Sequence, residues 1–240
     1  MVVSFVNAKT KHVVLMNYRK MDKNNIEFIG DNHIATNIAT PLLPDAFDKS
    51  DDEKIVSIQV HFQKIMEELG LDITDDSLSG TPYRVAKMYV KELFYGLNPK
   101  NKPKLSTFEN KYGYKKMLIE QNITLDSSCE HHFLPITGFA HVAYIPEDRV
   151  IGLSKLNRLV DYYAHRPQVQ ERLCLQILND LQEVLKTKSV IEMINAKHLC
   201  VSSRGIKDKN SFTTSLEYGG QFEEKATRDE FLNAINYELS

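Results

Sequence analysis

The chain has 240 residues, of which 42% are hydrophobic and 26% charged, with a net charge of −2 and a pI near 6.5. These values fit a soluble protein of one large domain, or a domain with an appendage, and give no overall basic field for nucleic acid. No apolar run approaches the ~20 residues of a membrane span, and three cysteines are too few for a disulfide framework, so a cytoplasmic, reducing setting is expected.

Residues 1–50 read as an N-terminal extension. In its first 25 residues Lys9, Lys11, Arg19, Lys20 and Lys23 are opposed only by Asp22, and the apolar patches are too short for a signal-peptide core. The stretch ends in TPLLPDAFDKSDD, a linker signal, and the main boundary is placed there. Ile55, Ile58, Phe62, Ile65 and Leu69 then recur at helical spacing. A second helix is predicted from Thr81 to Tyr95, with Thr81 as N-cap and Pro82 at the first helical position. Residues 51–118 form this helical part.

From residue 119 the pattern changes. Strands are predicted at 122–126, 138–145, 189–202 and 213–222. One helix starts at Ser154, read as its N-cap, and presents Leu156, Leu159, Val160 and Tyr163. Another starts near Val169 and presents Leu173, Ile177, Leu181 and Val184 or Leu185, with Cys174 as a core thiol. Thr227 and Glu230 form a capping-box pattern for a last helix running to Leu239. Helices first, then a mostly antiparallel strand region with two packed helices, gives the α+β class.

Two clusters carry chemistry. CEHH at 129–132 and HLC at 198–200 bring together two thiols and three imidazoles. Cys129 and His132, three apart, converge in a turn, while His131 points elsewhere. His198 and Cys200, two apart on a predicted strand, share a face. Cys129, His132 and Cys200 make three metal donors, as in a catalytic zinc site that keeps one position open. His131 and His198 are left beside it for acid–base work, which points to zinc-assisted hydrolysis. Lys155 and Arg158 in GLSKLNRLV sit on one side of a helix start, a place that favours a polyphosphate, although a solvated charged face is the commonest fate of Lys and Arg on helices. Gln170 and Glu171 in PQVQERL offer an amide and a carboxylate suited to a guanine edge. Arg204 follows the Cys200 strand, and Arg84 lies on the early helix.

Taken together, SSCEHHFLPITG, YIPEDRVIGLSKLNRLV, RPQVQERL, AKHLCVSSRGIKD and TRDEFLNAI closely resemble GTP cyclohydrolase I, in the family's order from about residue 55 onward. The first 50 residues carry no such likeness. Phe139 stands where many members have lysine, away from the family's metal and catalytic positions. The resemblance implies a tunnelling fold, an antiparallel sheet with two helices on one face, preceded by N-terminal helices. It implies conversion of GTP and water to formate and 7,8-dihydroneopterin triphosphate, the entry to folate and tetrahydrobiopterin synthesis. It further implies a homodecamer of two stacked pentamers with sites between subunits. In that scheme Cys129, His132 and Cys200 hold zinc. His131 and His198 move protons, and Ser154 assists the ribose rearrangement. Glu171 anchors guanine with Gln170 nearby, and Lys155, Arg158 and Arg204 hold the triphosphate, with Arg84 coming from a neighbouring subunit. Two other readings compete: a same-fold enzyme with another purine or pterin substrate, and a non-catalytic zinc-stabilised interaction protein.

Overall fold

Ser50 opens the first helix by a reciprocal cap. Its hydroxyl accepts from the Glu53 N–H, and the Glu53 carboxylate accepts from the Ser50 N–H. The structure is a computed structural model describing residues 37–236. The basic arm up to Lys23, and Leu239 at the expected end of the last helix, lie outside the described residues. Helix α1 spans Asp51–Glu68. Of its apolar stripe Ile55 is buried and Ile58 and Phe62 are half-buried, whereas Ile65 and Leu69 face outward. Met66, four residues after Phe62, takes the core position instead.

A short α2 (Asp76–Ser79) leads into α3 (Thr81–Met88). The cap of α3 is Gly80, not Thr81, whose hydroxyl instead accepts from Arg84. The expected continuous helix to Tyr95 does not form. A π-turn over Tyr89–Leu93 and two 3₁₀ turns, Tyr95–Leu97 and Pro99–Asn101, take over from α3. Among the described residues no helix is long and apolar enough to cross a membrane.

The remainder is built on sheet. Strand β1 (Thr107–Glu109) pairs antiparallel with β4 (Arg149–Ile151). The main sheet has the order β5-β2-β3-β6-β7, with β2 Leu118–Cys129, β3 Pro135–Tyr144, β5 Pro167–Gln168, β6 Val190–His198 and β7 Thr213–Tyr218. All neighbours are antiparallel except the short β5–β2 pair. This is a mixed α+β architecture, as the order of elements suggested.

Helices α4 (Leu153–Ala164) and α5 (Gln170–Leu185) cover one face. Leu156, Leu159 and Val160 of α4 and Leu173, Cys174, Ile177 and Leu181 of α5 share one core with Leu125, Val142 and Ile194. Cys174 is fully buried, as expected of a core thiol. Gly152 caps α4, so Ser154 lies inside the first turn rather than at the cap. A short helix α6 (Leu199–Ser202) follows β6. On the other face Phe222, Phe231 and Ile235 pack on Ala143 and Ile191. Strand β7 stops at Tyr218, short of the expected Phe222: beyond it Gly220 takes a φ of +60°, at a place where a Cβ would collide with the Ser189 backbone. The last helix, α7 (Lys225–Asn236), starts two residues ahead of Thr227, so Thr227 lies inside its first turn rather than at its cap.

One buried carboxyl is unusual. Glu192 lies opposite Glu217 across the β6–β7 ladder, is fully enclosed on the helix-covered face, and has no hydrogen-bond partner for either side-chain oxygen among the described residues. Burial, and next the Glu217 charge, push its carboxyl well above the usual range. A native value above the unfolded one stabilises the fold at low pH. That contribution is lost as pH rises from the unfolded value of ~4.3 through the native one. Urea unfolding at a series of pH values is expected to show stability falling over this window, and Glu192→Gln is expected to flatten the slope. An unchanged slope in the variant would place the titration elsewhere.

Candidate functional site

Strand β2 ends at Cys129, and a tight turn over Glu130–His132 leads through Phe133 and Leu134 into β3. The turn is closed by the Cys129 N–H to the Leu134 carbonyl and the Phe133 N–H to the Cys129 carbonyl, both 2.8 Å. Phe133 takes a φ of +54° and packs its ring 5.2 Å from Phe94, so the helical part braces the turn. Cys129 and His132 therefore converge as the three-residue spacing predicts.

The second cluster differs from expectation. Strand β6 ends at His198, and Cys200 lies in the helical turn α6 instead of on a shared strand face. The ladder gives the reason. His198 pairs with Ile136, and the next position on β3 is its first residue, Pro135, which has no N–H to continue it. Cys200 still reaches the first cluster. One donor atom each of Cys129, His132 and Cys200 lies within 4.8 Å of the others. Ideal tetrahedral zinc with thiolate ligands would hold two sulfurs ~3.8 Å apart, so small side-chain movements close the set. Two soft thiolates and an imidazole fit zinc better than magnesium or calcium, which prefer oxygen.

The surrounding groups are specific. Cys129 Sγ lies 3.7 Å from His131 Nδ1 and 4.0 Å from His132 Nδ1, so His131 turns toward the thiol and does not point away as its place in the sequence suggested. Arg204 Nη1 donates to His132 Nε2 at 2.8 Å. Burial, then the neighbouring Cys129, raises the Cys200 thiol above its ordinary value. A cation between the two thiols would reverse that by favouring thiolates.

His198 is held by Gln170, whose side-chain oxygen accepts from His198 Nε2 at 2.8 Å. The Gln170 amide nitrogen is itself spent on the Ile194 and Thr213 carbonyls and the Ser215 hydroxyl. Gln170 is 2% exposed and its amide is committed within the chain, while Glu171 beside it is exposed. Burial lowers the His198 imidazole from its ordinary value, and the Glu171 charge pulls it back up.

The structure thus joins Cys129, His131, His132, Cys200 and Arg204, and links Gln170 to His198. Ser154, Lys155 and Arg158 lie on the first two turns of α4, with Ser154 and Arg158 exposed. Arg84 donates to the Thr81 hydroxyl on its own helix and to the Ser77 carbonyl on α2. Among the described residues no hydrogen bond or ion pair ties these four to the cysteine–histidine cluster. Two residues near the cluster escaped the sequence reading. Glu130 donates its N–H to the Gln168 carbonyl, and its carboxylate meets Arg172. Both residues lie inside recognised motifs, but nothing in their spacing distinguishes them from ordinary helix or turn charges.

The sequence profile described as GTP cyclohydrolase I matches residues 58–236. The chain belongs to the GTP cyclohydrolase I family. It is 58% identical over 215 residues to a Flavobacterium johnsoniae protein named GTP cyclohydrolase 1, covering 88% of this chain and 96% of that relative. Proteins of the same name from Aeromonas salmonicida and Citrobacter koseri are 50% and 49% identical, each covering 92% of the relative. The family's matched stretch contains both halves of the donor cluster, which lie at opposite ends of a long sequence gap.

Removal of one donor tests the cluster as a metal site. Zinc analysis of the purified chain is expected to give about one ion per chain, and Cys200→Ser is expected to reduce it to background, because a hydroxyl is a far poorer ligand than a thiolate. Full zinc in that variant would remove Cys200 from the donor set.

Proposed function

We propose that this chain converts GTP and water to 7,8-dihydroneopterin triphosphate and formate, with zinc held by Cys129, His132 and Cys200. The carrying observation is the convergence of these three donors in a chain so similar to proteins named GTP cyclohydrolase 1. When bound, zinc supplies Lewis-acid chemistry and lowers the pKa of water at its open position towards ~7.

The chain's own residues do the rest. Glu171 accepts from the guanine edge. His198 is fixed through Nε2 by Gln170, which keeps Nδ1 for proton exchange with the guanine five-membered ring. His131 moves protons beside the two thiols and serves the later formamide step. Ser154 assists rearrangement of the opened ribose. Lys155, Arg158 and Arg204 bind the triphosphate, whose charge the net charge of −2 cannot attract by itself.

The bond from Arg204 to His132 fits this scheme. A neutral imidazole has one lone pair, and arginine can only donate. A metal on either nitrogen of His132 leaves no acceptor for Arg204, which frees that guanidinium for phosphate oxygens. The separation of Arg84 from the cluster suits a contribution across a subunit boundary, in a decamer of two stacked pentamers. We also read the sheet with α4 and α5 as a tunnelling fold, with 51–118 as the helical part and 119–240 as the catalytic part. Residues 37–40 are nevertheless fastened to α5, through the Asn37 and Ile38 carbonyls.

Two measurements check the reaction and the phosphate assignment. The zinc-loaded chain with GTP is expected to release formate and develop pterin absorbance, and zinc binding without turnover would contradict the proposal. Arg158→Ala is expected to weaken GTP by about one to two orders of magnitude, the effect of losing one charge-assisted hydrogen bond. Guanosine binding should barely change. An unchanged ratio of GTP to guanosine affinity would make Arg158 a solvated surface residue.

A further inference from the structure

Glu130 occupies the corner between the metal donors Cys129 and His132. Its carboxylate is gripped by both ends of the Arg172 guanidinium, Nη1 to Oε2 at 2.5 Å and Nη2 to Oε1 at 3.3 Å. The Arg172 side chain is only 4% exposed, although it begins in the first turn of α5. Its remaining Nε donates to the Asn37 carbonyl at 2.9 Å. The Glu130 N–H is meanwhile held by the Gln168 carbonyl at 3.0 Å. The same carboxylate reaches the neighbouring catalytic candidate, with Oε1 4.0 Å from His131 Nε2.

This arrangement leaves the turn little freedom. A two-pronged guanidinium–carboxylate pair fixes both distance and plane. A guanidinium enclosed to this degree is costly without its partner, so the pair is held together by burial as well as by charge. Cys129 precedes Glu130 directly and His131 follows it. Any shift of the turn backbone that displaced Cys129 and His131 would therefore have to pull the Glu130 carboxylate out of the Arg172 fork and its N–H off the Gln168 carbonyl.

We propose that Arg172 is a positioning residue, which through Glu130 holds the Cys129–His132 turn in the geometry that metal binding and proton transfer require. The proposal rests on reading this turn as part of a GTP-converting metal site. Arg172 touches no reacting atom. It acts at the back of the turn, and its bond to Asn37 fastens the segment ahead of α1 to the same point.

The test uses Glu130→Gln, which keeps the shape and removes the charge, and Arg172→Lys, which keeps the charge and removes the fork. Zinc affinity is read by chelator competition, kcat and KM with GTP on the zinc-loaded chain, and thermal stability on the metal-free chain. Each single variant is expected to lose about 10–100-fold in zinc affinity or kcat, the range seen when groups supporting metal ligands are changed. KM for GTP should move less than about threefold, because neither Glu130 nor Arg172 is itself among the groups assigned to the triphosphate or the guanine. The combined variant should be no worse than the poorer single one, since both break one link. Lower thermal stability with unaltered zinc affinity and kcat would overturn the proposal and make the pair merely structural. So would additive losses in the combined variant. If Arg172→Lys does not fold, Glu130→Gln decides alone by the same readings. If the parent chain is inert on GTP, the reaction assignment fails, and zinc affinity still decides the positioning role.

Discussion

The site depends on where the β3 ladder runs out. Strand β3 pairs with β2 on one side and β6 on the other, and its first residue is Pro135. At that end β2 delivers Cys129 and turns back, while β6 delivers His198 and curls into α6. Two segments far apart in sequence are thus brought to one edge by backbone register, before any side chain is involved. A slip of one residue in β6 would turn His198 to the opposite face and carry Cys200 with it.

Around that edge the PQVQER segment works as a clamp. The Gln168 carbonyl takes the Glu130 N–H, the Gln170 carboxamide takes His198, and Arg172 takes the Glu130 carboxylate. Gln168 ends β5, and Gln170 and Arg172 open α5, whose apolar side is locked onto the sheet through Leu173, Ile177 and Leu181. The core thereby sets the position of the helix, and the helix sets the orientation of the polar site groups. Such support from a rigid element is what a metal-assisted reaction requires of its scaffold.

The elements were largely legible because their patterns are local. Leu156, Leu159 and Val160 announce α4, and Leu173, Ile177 and Leu181 announce α5, at helical spacing. The donor set was legible because cysteine and histidine are scarce and clustered. The errors have one cause, competition from tertiary geometry. Cys200 looked like a strand residue until the neighbouring strand ran out at Pro135. Thr81, Ser154 and Thr227 have the chemistry of caps, yet each helix starts earlier. Ile65 and Leu69 fit a helical stripe, but α1 presents Met66 to the core instead. Arg172 was hidden for another reason: its identity as a buried fork depends on Glu130, a partner distant in sequence.

The central claim is that one metal binds to two sulfurs and one imidazole nitrogen at the end of β2 and β6. Zinc K-edge X-ray absorption of the zinc-loaded full chain reads that donor set directly. The account predicts two sulfurs at about 2.3 Å, one imidazole nitrogen at about 2.0–2.1 Å and one further light atom. An inner coordination sphere of nitrogen and oxygen alone, or one with three or four sulfurs, would contradict it.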